Sequence, residues 1–254
     1  MENRKLTVVL PAYNEAKGIH ATLTALRKQK YADFDVVFVD NASTDGTAGV
    51  LRDYIAEHGL ERWTVLDEPQ KGTGAAADTG MRYAAANGAD IIARTDTDCI
   101  PREDWTEQIM SEFAKGTRFV AGRIESRRDE YPEIPVWKYK VLSGAVDVAT
   151  LFGKLRPDNK GEQYKGPYIM TAGCNVAIEA KLYLECGGFP RTKIEDVHED
   201  RELINNVRRV TSEYKSSKDV LVYCSSRRVK EWGLWNTLMW YKDHSYRPEI
   251  VDIR

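Results

Sequence analysis

Residues 91–101 read IIARTDTDCIP (Ile91 to Pro101): an apolar pair, a short polar step, then two aspartates one residue apart, Asp96 and Asp98. A short β-branched run bounded by polar residues predicts the end of a buried strand rather than a helix. The aspartates then sit where the strand leaves its sheet, and the carboxyl edge of an open α/β sheet is where ligands bind. Two carboxylates this close repel unless a cation lies beside them. A hard divalent ion with oxygen ligands, Mn2+ or Mg2+, itself holding a diphosphate, meets that need. The alternative for an isolated D-x-D is a solvated acidic turn.

Working back toward the N-terminus, the same strand-then-turn pattern recurs. Leu6–Leu10 (LTVVL) is a continuous apolar run ended by Pro11, as expected of a parallel strand buried on both faces. The turn Pro-Ala-Tyr-Asn-Glu (11–15) leads into a helix over Ala16–Lys28, with Ile19, Leu23 and Leu26 at helical spacing. A dinucleotide fold would carry G-x-G-x-x-G here, and it is absent. Tyr13 could instead lay its ring on a nucleobase; a half-buried turn residue is the other reading. Asp35–Asp40 (DVVFVD) is a second strand ending in an aspartate placed to accept from a base or ribose. Thr44 or Asp45 then caps a helix over Thr47–His58. After a third strand, Trp63–Leu66, the turn Lys71-Gly72-Thr73-Gly74 opens an alanine-rich helix. Lys71 and the amides at that helix start could meet a phosphate. Pro101 and Glu103 open a further helix through Phe113.

Four motifs in order, PAYNEA, FVDNASTDGT, KGTGAAADTG and DTDC, together resemble the family-2 glycosyltransferases. The resemblance covers the first half of the chain. It implies a GT-A fold: an α/β, Rossmann-like open sheet, mostly parallel, with helices on both faces and a C-terminal acceptor-binding part. Residues 1–254 would form a single domain, 1–115 as the nucleotide-sugar-binding half and 116–254 as the acceptor half with its tail. It further implies that Pro11, Tyr13, Glu15, Asp40, Lys71 and Asp96 line the donor, with Tyr13 and Asp40 at the base and Asp96 on the ribose side. Asp98 would hold the metal and diphosphate. The implied activity is metal-dependent, inverting transfer of a sugar from a nucleoside diphosphate sugar, expected to be a UDP-sugar, to a hydroxyl acceptor (glycan, lipid or small molecule). The alternatives are a nucleotidyltransferase that makes the nucleotide sugar and a non-catalytic nucleotide-sugar-binding protein.

The second half should supply the acceptor site and the base. Phe119–Glu125 predicts a strand, and Pro135–Leu151 an amphipathic helix offering Trp137, Val141, Leu142, Val146 and Val148 or Ala149 to a core. The polar loop FGKLRPDNKGEQYKGP (Phe152–Pro167) has the length and composition of a lid. In Tyr168–Ile178, Gly173-x-Asn175 matches a step the family places beside the sugar. Asn175 could bond a sugar hydroxyl or cap the backbone. Residues 194–203 hold Glu-Asp twice, at Glu195-Asp196 and Glu199-Asp200. A transferase of this type needs one base near the anomeric carbon, and the family takes it from such a pair before a helix. Asp200, with Glu199, is the expected catalytic pair and Asp196 the alternative; helix capping competes for either. Asp219–Cys224 is a last strand. Trp232, Trp235, Trp240, Tyr241 and Tyr246 in the tail could pack the core, form an acceptor platform or touch a membrane surface. His244 is a candidate late metal ligand.

Composition sets the bounds. At 42% hydrophobic and 30% charged residues the chain reads as globular. A net charge of -2 with both signs interspersed argues against nucleic acid as a partner. No apolar run reaches the roughly 18 residues of a spanning helix, and the N-terminal run is too short for a signal peptide. Cys99, Cys174, Cys186 and Cys224 show no CxxC or Cys/His spacing, so neither a disulfide frame nor a zinc site is expected. These features point to the cytoplasm, with association at the inner face of a membrane left open.

Overall fold

The computed structural model describes residues 4–142, 144, 159–191 and 199–243. β1 (Leu6–Ala12) is buried at every position, because alternate side chains enter two different cores. Leu6, Val8 and Leu10 face one core; Val9 faces the other. β1 pairs in parallel with β2 (Phe34–Asp40) on one side and β4 (Ile91–Thr95) on the other, and β2 with β3 (Trp63–Asp67). The first core is closed by α1 (His20–Arg27), α2 (Thr47–Glu57) and α4 (Trp105–Ala114), through Leu23, Leu51, Trp105, Ile109 and Phe113. The second is closed by α3 (Thr73–Ala86) and by two later helices described below. The alanines of α3 let it lie tight on the sheet. A Cβ at Gly80 would come within 2.5 Å of Val9 and 2.8 Å of Val39.

Beyond β4 the sheet changes character. β5 (Cys99–Pro101), β6 (Phe119–Ser126), β7 (Asn175–Glu179) and β8 (Tyr214–Cys224) extend it to eight described strands in the order β3-β2-β1-β4-β7-β6-β8-β5. β7 runs antiparallel to both β4 and β6, β8 runs parallel to β6, and β5 closes antiparallel on β8. One sheet therefore runs through both halves of the chain. A helical stretch at 136–142 (α5) precedes α6 (Ala180–Glu185), α7 (Glu199–Val210) and α8 (Arg227–Asp243). α6 and α7 supply Leu182, Tyr183, Leu203, Ile204 and Val207 to the second core.

Two expectations are corrected here. The first helix begins at His20 rather than Ala16, because the backbone turns at Glu15–Ile19 before it winds. In α5 the inward residue is Tyr139, packed with Ile134 and Val229, while Trp137 is 57% exposed and Val141 is also exposed. Of the expected core residues Leu142 does pack on this cluster, while Trp137 and Val141 do not; Tyr139 buries its ring instead and still donates its hydroxyl to the Tyr131 carbonyl at 3.3 Å. Val146, Val148 and Ala149 lie outside the described residues. The tail helix α8 is broken at Gly233 (φ 76°, ψ 167°), and Trp235 beyond the break is 72% exposed. Of the expected lid, 152–158 lie outside the described residues. Its end is pinned to α7, where Arg208 donates to the carbonyls of Asn159 and Gly166 and stacks on Tyr164. Among the described residues no helix is long and apolar enough to cross a membrane.

Candidate active site

The site is assembled at the carboxyl ends of β1, β2 and β4. The turn after β1 and the turn after β2 are stitched to one another. Asn14 adopts a left-handed backbone (φ 52°), which lets its N–H donate to Ser43 Oγ at 3.0 Å and its Oδ1 accept from the Thr44 N–H at 2.8 Å. The Glu15 N–H donates to Thr47 Oγ1, and the Ala16 N–H to Asp45 Oδ2. Asp45, not Thr44, holds the start of α2, accepting from both the N–H and the hydroxyl of Thr47. Asn41 carries the stitching on to the third turn. Its amide donates to the carbonyls of Glu68 and Gln70 and its Oδ1 accepts from the Gly72 N–H. That places Lys71 with its ammonium 5.4 Å above the Tyr13 ring.

Asp40 ends β2 with its side chain turned into this rim. Oδ2 accepts from the Ser43 N–H at 3.2 Å, whereas Oδ1 is buried and has no partner among the described groups. A buried carboxylate oxygen left without a donor is costly, and a ligand N–H or O–H would satisfy it. Pro11 is buried within β1 and acts through its carbonyl, which accepts from Thr97 Oγ1 at 3.2 Å. Pro11 thereby anchors the D-x-D turn. Glu15 is also buried, accepting from Arg227 at 2.7 Å.

The D-x-D turn is held from below by Arg94, which is only 1% exposed in β4. Arg94 Nε donates to Asp96 Oδ1 at 3.2 Å and Nη1 to Glu199 Oε1 at 3.0 Å, with its guanidinium 4.7 Å from the Phe189 ring centre. Burial pushes the Asp96 carboxyl up to about 7, against the pull of Arg94 and with the charges of Asp98 and Glu199 adding to the rise. Asp98 Oδ2 accepts from Arg227 at 2.5 Å, the same guanidinium nitrogen that reaches Glu15. Asp96 and Asp98 are hard oxygen donors on one turn, each already answered by an arginine. That donor set suits a hard divalent cation.

Glu199 and Asp200 open α7. Glu199 is committed to Arg94, and its other oxygen packs where a Cβ at Gly74 would approach to 2.8 Å. The part this structure gives it is one of position: it brings the first turn of α7 against the D-x-D turn and the start of α3. Asp200, beside it, accepts among the described residues only from the following N–H of Arg201. Burial, then the charge of Glu199, raises its carboxyl to about 6. Asp196 and His244 lie outside the described residues.

Asn175 departs from the reading that it bonds a sugar hydroxyl. It is 0% exposed, and its amide donates to the carbonyls of Arg123 and Val220 while its Oδ1 accepts from the Trp105 indole N–H at 2.9 Å. Those bonds occupy the amide on three separate elements, so Asn175 is a structural clamp and does not reach a sugar. A Cβ at Gly122 would fall 2.3 Å from it, which explains the glycine opposite. The described cysteines are free, and three of them that are far apart in sequence converge: the sulfurs of Cys99, Cys174 and Cys224 all lie within 4.8 Å of one another. Arg94 and Arg227 were missed. Arg94 had a signal, a full charge in a strand otherwise apolar; Arg227 had none in its local sequence.

The model for glycosyl transferase family 2 matches residues 7–176. The glycosyltransferase AglE of Haloferax volcanii is 36% identical over 124 residues, 47% of this chain and 39% of its own length. The pre-mycofactocin glycosyltransferase of Mycobacterium tuberculosis is 30% identical over 195 residues, 75% of this chain and 36% of its own length. The matched part therefore spans less than half the length of these relatives. Among solved structures, the mannosyltransferase PcManGT from Pyrobaculum calidifontis, in complex with GDP-Man and Mn2+, aligns over 94% of this chain and 61% of its own with a TM-score of 0.65 at 23% identity.

Proposed function

The chain belongs to glycosyl transferase family 2 and has the GT-A fold, and from that premise we propose that it transfers a sugar from a nucleoside diphosphate sugar to a hydroxyl acceptor, with inversion and with Asp200 as base. The observation that carries this reading is the Arg94 bridge, which ties the D-x-D turn and the Glu199-Asp200 helix start into one unit. A donor lying on the first and an acceptor approaching the second would meet at the anomeric carbon.

In this reading the nucleobase stacks on Tyr13 and the Asp40 Oδ1 accepts a hydrogen bond from base or ribose. Lys71 stands beside the same ring, placed to draw the anionic donor in. Asp98, with Asp96 behind it, would hold Mn2+ or Mg2+, which supplies neutralisation of the leaving diphosphate; the Mn2+ in the mannosyltransferase neighbour supports that choice. Arg227 would exchange its hold on Asp98 for the donor's negative charge. Asp200 takes the acceptor hydroxyl proton as attack begins on the face opposite the leaving group. A carboxyl raised to about 6 is a stronger base than an ordinary aspartate and still ionised at neutral pH.

A UDP-sugar remains our choice of donor, and a glycan, lipid or small molecule our class of acceptor. We place it at the cytoplasmic face of a membrane; the exposed Trp137 and Trp235 support contact with a membrane surface. The test is product analysis with UDP-, GDP- and TDP-sugars and Mn2+. Release of nucleoside diphosphate with sugar on the acceptor is expected. Pyrophosphate would point to nucleotidyl transfer instead, and no turnover of any donor would revive the non-catalytic reading.

A further inference from the structure

Three thiols meet directly beneath the D-x-D turn. Cys99 opens β5 and Cys224 ends β8, in register across the antiparallel pair; Cys174 comes from the turn before β7. The Cys99 and Cys224 sulfurs are 2.7 Å apart, and Cys174 is 3.6 Å from Cys224. An oxygen donor adjoins them: Asp98 Oδ1 lies 3.5 Å from the Cys99 sulfur, while Oδ2 stays with Arg227. Tetrahedral coordination at about 2.3 Å to sulfur and about 2.0–2.2 Å to oxygen has edges of about 3.8 Å between sulfurs and about 3.5 Å from sulfur to oxygen. Two of these separations already fall near those edges, and the third needs to open by about 1 Å.

We infer that Cys99, Cys174 and Cys224 form a thiolate site for a soft cation of the zinc class, with Asp98 Oδ1 placed as the fourth ligand. Thiolates select Zn2+, Cd2+ or Cu+ over the Mn2+ or Mg2+ that carboxylates prefer. The rim thus sorts two kinds of cation by ligand hardness. Binding releases the three thiol protons and leaves an anionic cluster, which Arg94 and Arg227, the arginines already holding Asp96 and Asp98, offset from either side. Cys174 and Cys224 are only partly buried, which leaves a way in. With the cation in place, Asp98 is fixed from both oxygens, so occupancy stiffens the turn and weakens a second cation's grip on the same carboxylate.

The experiment uses the full chain, reduced, stripped with chelator and titrated with Cd2+ while thiolate-to-cadmium absorption is followed. The expected result is saturation at a single equivalent with the intensity of three thiolates, competition by Zn2+, and a band that excess Mn2+ does not remove, Mn2+ only lowering the Cd2+ affinity through the shared Asp98. Cys174→Ser should lower the band in proportion to the lost thiolate and weaken binding, and Cys186→Ser should leave both unchanged. A rise in melting temperature of the unmutated protein with Zn2+ tests the same site if the serine variant does not fold. Absence of the band in protein whose thiols titrate as reduced, or a band insensitive to Cys174→Ser in a folded variant, would overturn the inference. So would recovery of a Cys99–Cys224 disulfide in its place.

Discussion

The rim proposed to take the donor and the side proposed to take the acceptor are built in different ways. Around β1, β2 and β4 each functional side chain follows its own strand within a few residues: Tyr13 after β1, Asp40 at the end of β2, Asp96 and Asp98 after β4. Around β7, β8 and α7 the groups that matter are joined across long separations: Arg94 with Glu199, Asp98 with Arg227, Asn175 with Trp105. The difference is that parallel strands expose one turn each at a common edge, whereas a mixed sheet closes its site with whatever distant strands and helices bring. A substitution on the donor rim should therefore alter binding while leaving the fold alone. One in the long-range network should alter stability, catalysis or both.

The largest effect expected is at the base. Asp200→Asn should lower kcat by roughly 10²–10⁴-fold with nucleotide affinity kept, measured by turnover and by titration of the nucleoside diphosphate. The pH dependence sharpens this. Because the folded carboxyl sits at about 6, above its unfolded value, the folded state binds this proton more tightly. The stability it contributes is fully present below the unfolded value and is lost as pH rises through about 6. Turnover needs the carboxylate and runs the other way, falling as pH drops through the same point. Opposite slopes of melting temperature and kcat between pH 7 and pH 5, with the kinetic slope gone in Asp200→Asn, are the expected pair of curves.

Next in size is Arg94→Met. It leaves the buried Glu199 and the half-buried Asp96 without their cation, a loss of about 3–5 kcal/mol in chemical denaturation. Asn175→Ala should cost about 2–4 kcal/mol by orphaning two carbonyls and the Trp105 indole, with KM for the donor unchanged in the protein that remains folded. A rise in KM without a loss of stability would return Asn175 to the sugar and break the contrast between the two regions. Tyr13→Ala should weaken nucleotide binding by about 1–3 kcal/mol and leave the melting temperature of the ligand-free protein nearly unchanged.

The legibility of the chain follows the same division. Continuous apolar runs ended by Pro or Asp marked β1 and β2 well, because burial on both faces demands such runs, and the Ile91-Ile92 pair ahead of the aspartates marked β4. The D-x-D turn and Asp40 could be read for the same reason. α5 was misread because Tyr139 packs inward while Trp137 does not, and hydropathy ranks them the other way. The thiol cluster had no spacing signal at all: its members sit on β5, before β7 and on β8, and only the register of β5 against β8 brings them together. Asn175 was visible as a polar residue beside a strand. Its three partners, each more than 40 residues away in sequence, were not.

The most direct measurement is calorimetric titration of UDP and GDP into the protein with Mn2+ and with chelator, repeated on Asp98→Asn. The account predicts that Mn2+ tightens binding of at least one nucleotide by about tenfold or more, in line with the several kcal/mol such an ion supplies, and that Asp98→Asn removes this gain while Tyr13 still gives weak, metal-independent binding. Nucleotide affinity and sugar transfer that survive chelation unchanged, or a full Mn2+ gain in Asp98→Asn, would contradict it.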